Sequence, residues 1–570
     1  MRGVRRVAAP IAVLLAVGLA ACTPALPETV VPDTKITVGW TGAFTSANAA
    51  ASPTPGNIDI AETIRGDFGD LVDGEFVADE GFGTVTIVSD DPFTVRYDLA
   101  EPVWSDDIPL DAADLLLGWA GAAGYFDDAE GADGEDAAAD GDPVEMTVPA
   151  LDEFARAIEV TSPQPTIGWQ QAVTAPVPAH VVGHRAFGTD DPMEAKQAVI
   201  RAIQDGDDDA LAKIAEIWNE DFEVGKDRKL AADLLLSSGP FRVDSFSDDG
   251  DGQSVALVPN PSYRGLVTPK VARIELVPAG DLPEAEVGER LNVAQVAPTT
   301  ANREIIRQLE RQDFTVDTRH DGTLWALMLD PTGLFTEPQA RAAFLRAIPA
   351  TSLTERGSGV WATAYTGTTS MVTAPGSRAY DIVSEDSGFA AALGTPADDA
   401  AMERESAGIA AGSSVCVLYD TGSEFATGAF VALGEVAAEA GWSIADCGSS
   451  DFDAALAAGA WDAVITRAPV PQTPEQILDQ WGSQGAASVT GNVDPDRDAL
   501  IAELAQTTDV YEARDLLAQI EATIVRAAVA LPIAMNPRAT IIDRSVTGIA
   551  PRTGAAAPLT YGVSQWESVP

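Results

Sequence analysis

The sequence is poor in the residues and motifs on which most catalytic sites are built. It has three histidines, His180, His184 and His320, and no G-x-S-x-G, H-E-x-x-H, P-loop or G-x-G-x-x-G stretch. These absences argue against serine hydrolases, zinc peptidases and nucleotide-binding enzymes. Carboxylates are abundant, but no pair stands out as the acid and base of a glycosidase. We therefore predict no catalytic residue, no cofactor and no metal site, and an enzyme ranks third among the functions considered.

Basic residues are also scarce. Lys and Arg total 35 against 87 Asp and Glu, which gives a formal net charge of -52. Nucleic acid is therefore not an expected partner, because phosphate binding needs clustered lysine and arginine. The acidic excess is spread along the chain, as in a solvated, self-repelling surface. The acidic stretch at 126–145 lacks the ligand spacing of a calcium-binding loop, and we interpret it as a mobile surface insertion.

The start of the chain carries the most specific signal. Three arginines precede the apolar run IAVLLAVGLA, which is too short to span a bilayer as a stable anchor. Leu19-Ala20-Ala21-Cys22 follows and resembles a bacterial lipobox. The sequence thus predicts a signal peptide over 1–21, a lipid on Cys22 and a tether over 22–33, with the protein on the outer face of the cell membrane. An ordinary secretory signal is the alternative.

Only three cysteines are present. Apart from Cys22 these are Cys416 and Cys447, each at the end of a predicted strand, with the helical stretch EFATGAFVALGEVAAEAG between them. A β-α-β unit would bring them side by side, and outside the membrane a disulfide is the favoured interpretation. Two buried free thiols remain the alternative. Neither cysteine has a CxxC or histidine-rich setting that would indicate metal or redox chemistry.

The length and the pattern of apolar residues predict an α/β protein with more than one lobe. A chain of 570 residues exceeds the roughly 250–300 residues that one hydrophobic core can serve. TKITVGW is predicted as a strand, DIAETIRGDFGDLV as a helix and GTVTIVSDDPFTVRYDL as a hairpin. From about residue 284, helices and strands alternate through EIIRQLERQ, TLWALMLD and EPQARAAFLRAI.

The stretch AEPVWSDDIPLDAADLLLGW, residues 100–119, places several aspartates beside two tryptophans. Asp111 stands at the expected N-cap of a helix, and Asp114 follows three residues later as an acidic N3 partner. Helix capping therefore accounts for both carboxylates without any catalytic role.

Several segments together resemble the family 5 extracytoplasmic solute-binding proteins, the oligopeptide, dipeptide and nickel binding subunits of ABC importers. VSDDPFTVRYDLAEPVWSDDIPLDAADLLLGW resembles the family's strand-turn-helix, and PVPAHVV is similar to its "P.P.H" stretch. SSGPFRVDSF with VPNPSY resembles its "GTGPY" strand pair, and EPQARAAFLRAI a helix of its second lobe. Each motif is weak alone, but their order together with the lipobox is specific.

The resemblance implies a two-lobed periplasmic-binding-protein-like α/β fold of class II, cluster C type, with a ligand enclosed between the lobes. Lobe one would comprise 34–283, including an inserted subdomain at about 60–165, and would be completed by 531–570. Lobe two would comprise 284–530. The partners implied are a small-molecule or peptide ligand, an ABC permease and its ATPase, and the membrane through the lipid anchor; the protein is expected to be a monomer.

One departure from the family pattern concerns the ligand. Peptide-binding members hold the ligand's amino group with an aspartate in lobe two, whereas here Arg467, Ala468 and Pro469 occupy the corresponding stretch. A guanidinium cannot pair with an ammonium group, but it suits a carboxylate, a phosphate or a sugar hydroxyl. An ion pair at the surface or hinge is the structural alternative for Arg467.

The other candidate ligand-binding residues are chosen by position. Some follow the first strand, where open α/β sheets bind ligands, and the aromatic ones could stack on a sugar or peptide. They are Trp40, Phe44, Asn48, Trp104, Trp361, Tyr365 and Trp481, the last of which is expected to lie near Arg467. Packing in the hydrophobic core is the alternative for each.

The sequence therefore predicts a lipid-anchored protein that captures a solute, most simply a peptide-like one, for an ABC importer. The runner-up is a non-transport envelope lipoprotein on the same fold, with a role in cell-wall or glycolipid biosynthesis.

Overall fold

The structure is a computed structural model. It describes residues 26–72, 75–127, 147–152, 156–225, 230–248, 252–280, 283–397, 399–551 and 559–569. The predicted signal peptide, Cys22 and most of the acidic stretch at 126–145 lie outside the described residues. Inside these ranges, no helix is both long enough and apolar enough to cross a bilayer.

Helices and strands alternate along most of the described chain. The helices are α1 (Pro55–Ile64), α2 (Ala112–Ala122), α3 (Ala179–Phe187), α4 (Pro192–Asp205), α5 (Asp208–Glu216), α6 (Pro283–Glu286), α7 (Thr300–Glu310), α8 (Pro338–Arg346), α9 (Ala350–Ser358), α10 (Tyr380–Asp386), α11 (Phe389–Ala392), α12 (Ala400–Ser406), α13 (Glu424–Glu439), α14 (Phe452–Ala458), α15 (Pro474–Trp481), α16 (Pro495–Ala505) and α17 (Val510–Ala527). The strands are β1 (Val31–Trp40), β2 (Gly69–Val72), β3 (Glu75–Ala78), β4 (Gly83–Asp90), β5 (Phe93–Leu99), β6 (Ala150–Asp152), β7 (Ala157–Ser162), β8 (Phe241–Asp248), β9 (Gln253–Pro259), β10 (Val271–Pro278), β11 (Val293–Val296), β12 (Thr315–Leu329), β13 (Thr366–Gly367), β14 (Ser414–Tyr419), β15 (Ser443–Asp446), β16 (Ala463–Pro469), β17 (Ala530–Ile542), β18 (Val546–Thr547) and β19 (Glu567–Ser568).

One large sheet runs through the described protein in the order β15-β14-β16-β12-β17-β11-β1-β10-β9-β8, and β13 pairs with β17. Parallel pairs occur toward both ends, β1 with β10 and β14 with β15 and β16. The two longest strands, β12 and β17, pair antiparallel in the middle. β17 pairs with β11 near its end, and β12 pairs with β16 near its own end. The α/β fold class is thus confirmed, with two long strands joining its two halves.

Separate hydrophobic clusters lie to the two sides of these long strands. We call lobe one the elements α1–α5, β1 and β8–β10, whose buried side chains form one cluster that Trp566 also joins. We call lobe two the elements α8–α17 and β14–β16, which cover both faces of β12. Trp325, Leu327 and Leu329 face one cluster, and Leu324, Ala326 and Met328 face another. Burial of both faces explains the continuous apolar run TLWALML. The domain boundaries given above stay a prediction.

A smaller sheet belongs to the segment predicted as an inserted subdomain. It has the order β4-β5-β7-β6 and is antiparallel throughout. The hairpin predicted over GTVTIVSDDPFTVRYDL is confirmed, with Asp90 opposite Phe93 at its closed end.

The predicted capping box at the start of α2 is also confirmed. Asp111 is the N-cap residue, and its Oδ1 accepts the N–H of Ala113 at 3.0 Å. Asp114 Oδ2 in turn accepts the N–H of Asp111 at 2.9 Å. Two backbone donors that the helix cannot use are therefore satisfied by the carboxylates of the capping box.

The same two carboxylates share a buried lysine that the sequence pattern did not reveal. The Lys196 ammonium group, on α4, lies 2.7 Å from Asp114 Oδ2 and 3.1 Å from Asp111 Oδ2. It also donates to the carbonyl oxygen of Pro109 at 2.6 Å. The side chains of Lys196 and Asp114 are 1% and 0% exposed. This ion cluster joins the entrance of α2 to α4.

The predicted helix DIAETIRGDFGDLV is wrong in its second half. α1 ends at Ile64, Arg65 has extended backbone angles, and Gly69–Val72 forms strand β2. The Arg65 guanidinium donates to the carbonyl of its neighbour Ile64 (3.3 Å) and to three distant backbone carbonyls, those of Pro176 (2.6 Å), Leu236 (2.6 Å) and Ala47 (3.1 Å). These tertiary hydrogen bonds fix the chain outside the helix and outweigh its local helical preference.

The two cysteines of lobe two lie in the predicted β-α-β arrangement. β14 and β15 are parallel neighbours, and α13 connects them. Cys416 lies in β14, and Cys447 follows β15 directly. The structure joins them in a disulfide with Cα atoms 5.7 Å apart.

Glu521 is a carboxyl group buried inside lobe two. Its Oε2 accepts hydrogen bonds from the Ser370 hydroxyl (2.7 Å) and from the N–H groups of Met371 (2.9 Å) and Val372 (3.1 Å). Burial nevertheless raises the pKa of Glu521 from 4.5 to about 7, because these hydrogen bonds and the charge of Arg497 only partly offset the loss of hydration.

Stability is therefore expected to depend on pH through this residue. Between the unfolded and folded pKa values the folded protein binds more protons, so this contribution to the free energy of unfolding falls as pH rises from about 4.5 to 7. Glu521→Gln should remove a difference on the order of 2–3 kcal/mol between pH 5 and pH 8. Urea unfolding at pH 5 and at pH 8 measures this difference in the free energy of unfolding. Glu503→Gln, on the exposed side of α16, is the control and should leave the difference unchanged; an equal response of both variants would contradict the prediction.

Candidate functional site

Asp321 lies where β12 and β17 pass between the lobes. The pairing of these strands is irregular between His320 and Leu324, which places Asp321 in a local distortion of the sheet. Its Oδ1 accepts the backbone N–H and the hydroxyl of Thr323 at 2.9 and 2.6 Å. Its Oδ2 accepts from the Asn536 amide at 2.7 Å. Both oxygens of this carboxylate are therefore already bonded within the protein.

Arg467 approaches the same carboxylate from β16. It lies opposite Trp325 of β12, so the two side chains share one face of the sheet. One guanidinium nitrogen of Arg467 lies 3.6 Å from Asp321 Oδ2, and the arginine side chain is 52% exposed. Arg467 donates no hydrogen bond to any residue that the structure describes. An exposed pair at this distance contributes little to stability and leaves most of the guanidinium N–H groups available.

Arg538 provides a second guanidinium, on β17. Burial lowers the pKa of Arg538, and the carboxylates of Asp321 and Asp59 oppose this effect. Asp59 belongs to α1 of lobe one, where its carboxylate accepts from the Trp40 indole N–H at 2.8 Å and from the Leu559 N–H at 3.0 Å. Arg538 is thus partly buried, and its charge is favoured by one carboxylate of lobe one and by the carboxylate of the crossing strand. Within the described ranges it donates no hydrogen bond.

Three stacked aromatic rings adjoin these charges on the lobe two side. The rings of Tyr365 and Phe425 have centroids 4.8 Å apart, and those of Phe425 and Trp325 are 4.7 Å apart, both nearly parallel. The Trp325 indole N–H donates to Asn536 Oδ1 at 3.0 Å, which ties the stack to the partner of Asp321. Burial, together with the charges of Asp321 and Glu424, raises the pKa of Tyr365, and Arg467 opposes the shift.

We call Asp59, Asp321, Tyr365, Arg467 and Arg538 the interlobe site. In this site the carboxylate acceptors have hydrogen-bond partners among the described residues, whereas the donors do not. The carboxylates already accept hydrogen bonds from the protein, whereas the two guanidinium groups and the Tyr365 hydroxyl donate none to the described residues. A group entering the site therefore meets unused donors, two of them cationic, and these bind carboxylate or other anionic oxygens best.

The structure brings together two of the eight residues predicted to bind ligand, Tyr365 and Arg467. Trp40 is 3% exposed and touches the interlobe site only through its bond to Asp59. Trp361 is also buried; its indole N–H donates to the carbonyl of Thr299 at 2.7 Å, and Arg303 stacks on its ring.

Phe44, Asn48 and Trp104 belong to the packed interior of lobe one. Asn48 donates to the carbonyl of Trp218 at 3.0 Å, and Trp104 donates to Asp114 at 3.1 Å. The backbone of Phe44 is bonded on both sides by the amide of Gln253. With exposures of 0–1%, these three side chains have no surface to offer a ligand, and their assignment to the cleft is corrected to core packing.

Trp481 lies on the wrong side of the sheet to join Arg467. It packs in the cluster that contains Leu324 and Val464, whereas Arg467 shares the opposite face with Trp325 and Ile465. The expectation that Trp481 lies near Arg467 is therefore wrong, because side chains alternate across a strand and the chain reverses face between β16 and α15.

Three residues of the interlobe site were missed by sequence reasoning. Asp59 sits inside a helix that looks ordinary, Asp321 in the turn-like pair Asp-Gly, and Arg538 in the strand IAMNPRATII. Of these three, only Arg538 had a signal in the sequence: it is a charged residue in an otherwise apolar strand, where an unpaired charge is rare.

Comparisons with known sequences identify a protein family and several related lipoproteins. The sequence model described as "Bacterial extracellular solute-binding proteins, family 5 Middle" matches residues 84–424, more than half of the chain. An uncharacterized lipoprotein of Mycobacterium tuberculosis (strain ATCC 25618 / H37Rv) is 26% identical over 284 residues, 49% of this chain and 47% of that protein. One of Mycobacterium leprae (strain TN) is 27% identical over 318 residues, 55% of this chain and 53% of its own length. The chain thus spans about half the length of the curated relatives it matches.

Solved structures share the fold over nearly the whole chain. The periplasmic EDTA-binding protein EppA has a TM-score of 0.74 at 18% identity, covering 94% of this chain and 96% of its own. NikZ from Campylobacter jejuni, in complex with Ni(L-His), has a TM-score of 0.64 at 13% identity, covering 95% and 100%. The oligopeptide-binding protein AppA from Bacillus subtilis, in complex with a nonapeptide, has a TM-score of 0.61 at 12% identity, covering 94% and 99%. At these identities the likeness establishes the two-lobed binding-protein fold.

Proposed function

The chain belongs to the bacterial extracellular solute-binding proteins of family 5, and we propose that it captures a carboxylate-bearing, peptide-like solute between its lobes for an ABC importer. The protein would be held at the outer face of the membrane by a lipid on Cys22. Closure of the lobes around β12 and β17 would enclose the solute, driven by the higher affinity of the closed state. The closed protein would then deliver the solute to the permease, whose ATPase drives transport.

The proposed ligand class rests on one observation: in the interlobe site the carboxylates already accept hydrogen bonds, whereas the guanidinium and hydroxyl groups donate none to the described residues. Asp321 and Asp59 have their oxygens bonded by Thr323, Asn536, Trp40 and the Leu559 backbone. A ligand ammonium group would have to compete with these bonds. A ligand carboxylate would instead bind donors on Arg467, Arg538 and Tyr365, which make no hydrogen bond within the described residues, although Arg467 lies 3.6 Å from Asp321. We therefore propose binding through the carboxylate end of the solute, with the stacked rings beside it.

The ligands of proteins with this fold are compatible with that chemistry. EDTA, L-histidine and a nonapeptide, which the three compared structures are named for or hold, all carry carboxylates. They differ in size and in every other group. A carboxylate is thus a feature that a family of diverse binding proteins can share, and the aromatic stack can contact planar or apolar parts of the solute.

Paired peptides that differ only at the carboxyl end test the proposal. A peptide with a free carboxylate should raise the melting temperature of the purified protein, and the same peptide with a carboxy-terminal amide should not. A ligand at a hundredfold excess over its dissociation constant stabilises the folded state by about 2.7 kcal/mol. Equal shifts by acid and amide would contradict recognition through the carboxylate. No shift with peptides or small carboxylic acids would favour the alternative, a non-transport envelope lipoprotein.

A further inference from the structure

A group of apolar side chains is exposed beside the first described residues of the chain. Leu266 is 75% exposed, the highest value among the large apolar side chains of the described residues, and its neighbour Val267 is 43% exposed. Val31, at the start of β1, is 55% exposed. We call Val31, Leu266 and Val267 the apolar edge. Single exposed apolar residues are common, but two consecutive ones, with a third on the adjoining strand, call for an explanation in a highly acidic protein.

Hydrogen bonds fix the amino-terminal segment onto the loop that carries this edge. The Thr29 hydroxyl donates to the Pro269 carbonyl at 2.7 Å and contacts the Thr268 hydroxyl at 3.1 Å. The N–H of Val31 donates to the Lys270 carbonyl at 2.9 Å, and β1 then continues parallel to β10. The segment that carries Val31 is therefore bonded to the loop that carries Leu266 and Val267, and the first described residues of the chain lie beside this loop.

The distance from this surface to the predicted lipid is short. Thr29 lies seven positions after Cys22, and a fully extended chain covers at most about 3.3–3.6 Å per residue, or about 25 Å in total. The inference therefore rests on the proposed lipid on Cys22. With that lipid in the bilayer, the apolar edge is held within a short reach of the membrane, whatever the orientation of the rest of the protein.

The charges around the edge limit how deeply it can enter a bilayer. The ammonium group of Lys270 is paired with Glu567, and the exposed Arg264 precedes the loop on the same side. The acidic charges around the edge are the exposed Glu28 and Asp33 of the amino-terminal segment, the exposed Glu80, and Asp79, whose carboxylate and the Leu266 side chain both adjoin Gly81. The local charge is therefore negative, and the apolar edge can enter the interface of a bilayer only to the depth at which these carboxylates stay in water.

We propose that the apolar edge, Leu266 and Val267 with Val31, inserts into the interfacial layer of the membrane to which Cys22 is anchored. This contact would act as a second attachment beside the lipid. It would fix the orientation of lobe one on the membrane, so that the protein does not rotate freely about its lipid anchor.

A fluorescent depth measurement can test this contact in the lipidated full-length protein. With Cys22 lipidated and Cys416 bonded to Cys447, Leu266→Cys introduces a single free thiol for an environment-sensitive dye. The protein is incorporated into phosphatidylcholine–phosphatidylglycerol vesicles with or without lipids that carry a quencher at the headgroup or the upper acyl chain. The dye at position 266 should shift its emission to shorter wavelength and lose intensity with quencher lipids. Val510→Cys, at a comparably exposed aliphatic residue of α17, is the matched control and should show neither effect.

The outcomes separate the membrane contact from the lipid anchor. Flotation with the vesicles, lost in Cys22→Ser, reports the anchor by itself. Flotation combined with equal, weak quenching at positions 266 and 510 would overturn the membrane contact and leave the anchor standing; the edge would then face a protein partner or water. Failure to float would overturn both. Ligand-induced stabilisation of each labelled variant confirms that the lobes are folded.

Discussion

Replacing Lys196 with methionine is expected to lower the free energy of unfolding by about 3–5 kcal/mol, the range found when one partner of a buried ion pair is removed. Methionine has a similar length and keeps the apolar part of the side chain. The expected loss is therefore electrostatic: the Asp114 carboxylate, which is 0% exposed, would lose the cation that compensates its burial, and Asp111 would lose the same partner.

The geometry explains why this lysine is charged although it is buried. Burial opposes the charge, but Asp114 and Asp111 outweigh it and raise the pKa of Lys196 above its usual value. Asp114 meanwhile accepts from the Trp104 indole (3.1 Å) and the Ala179 N–H (2.8 Å). The cluster thus connects the end of β5, the start of α2, α3 and α4, so its loss affects the packing of several elements.

Urea unfolding of two further variants separates charge from packing. Lys213→Met, at an exposed lysine of α5, should change the free energy of unfolding by no more than about 0.5 kcal/mol. Adding Asp114→Asn to Lys196→Met should recover part of the loss, because the uncompensated charge disappears. A Lys196→Met protein as stable as the Lys213→Met control would show that the buried ion cluster does not stabilise lobe one.

This cluster also shows how far the sequence alone could be interpreted. The capping box of Asp111 and Asp114 was predictable because it depends on a spacing of three residues. Lys196 lies 82 residues from Asp114, in a helix with an ordinary amphipathic pattern, so its burial depends on how α4 packs on α2. Local patterns cannot report such a contact.

The fold and the interlobe site also differ in how far the sequence predicts them. Strands such as β1 and β12 were recognisable from their apolar runs, and the order of weak motifs was enough to indicate the family. Arg467 could be found because it replaces an expected acidic residue. Its partners could not, because Asp321 depends on an irregularity between β12 and β17, and Arg538 on the approach of α1 from the other lobe. The misplaced Trp481 shows that distance along the chain does not predict which face of a sheet a residue occupies.

Arg538→Met and Arg467→Met are each expected to weaken ligand binding by about 10- to 100-fold, since a hydrogen bond to a charged group contributes roughly 1.5–3 kcal/mol. The larger effect is expected for Arg538. It is partly buried, so its interaction with an anion is less screened by water, whereas Arg467 is 52% exposed. The double variant should lose about 3 kcal/mol or more if both groups contact the same carboxylate.

Free and bound protein should respond to Arg538→Met in opposite directions. Burial lowers the pKa of Arg538 and no described residue accepts a hydrogen bond from it, so its charge costs stability in the ligand-free protein. Removing the charge should leave the free energy of unfolding unchanged or increase it, while calorimetry shows the loss of affinity. Arg319→Met is the matched control, because Arg319 lies opposite Arg538 on β12 but is already paired with Asp317 at 2.9 Å. If Arg319→Met weakens binding as much as Arg538→Met, or if Arg538→Met unfolds the free protein, then the arginine acts through the hinge strands and does not hold the ligand.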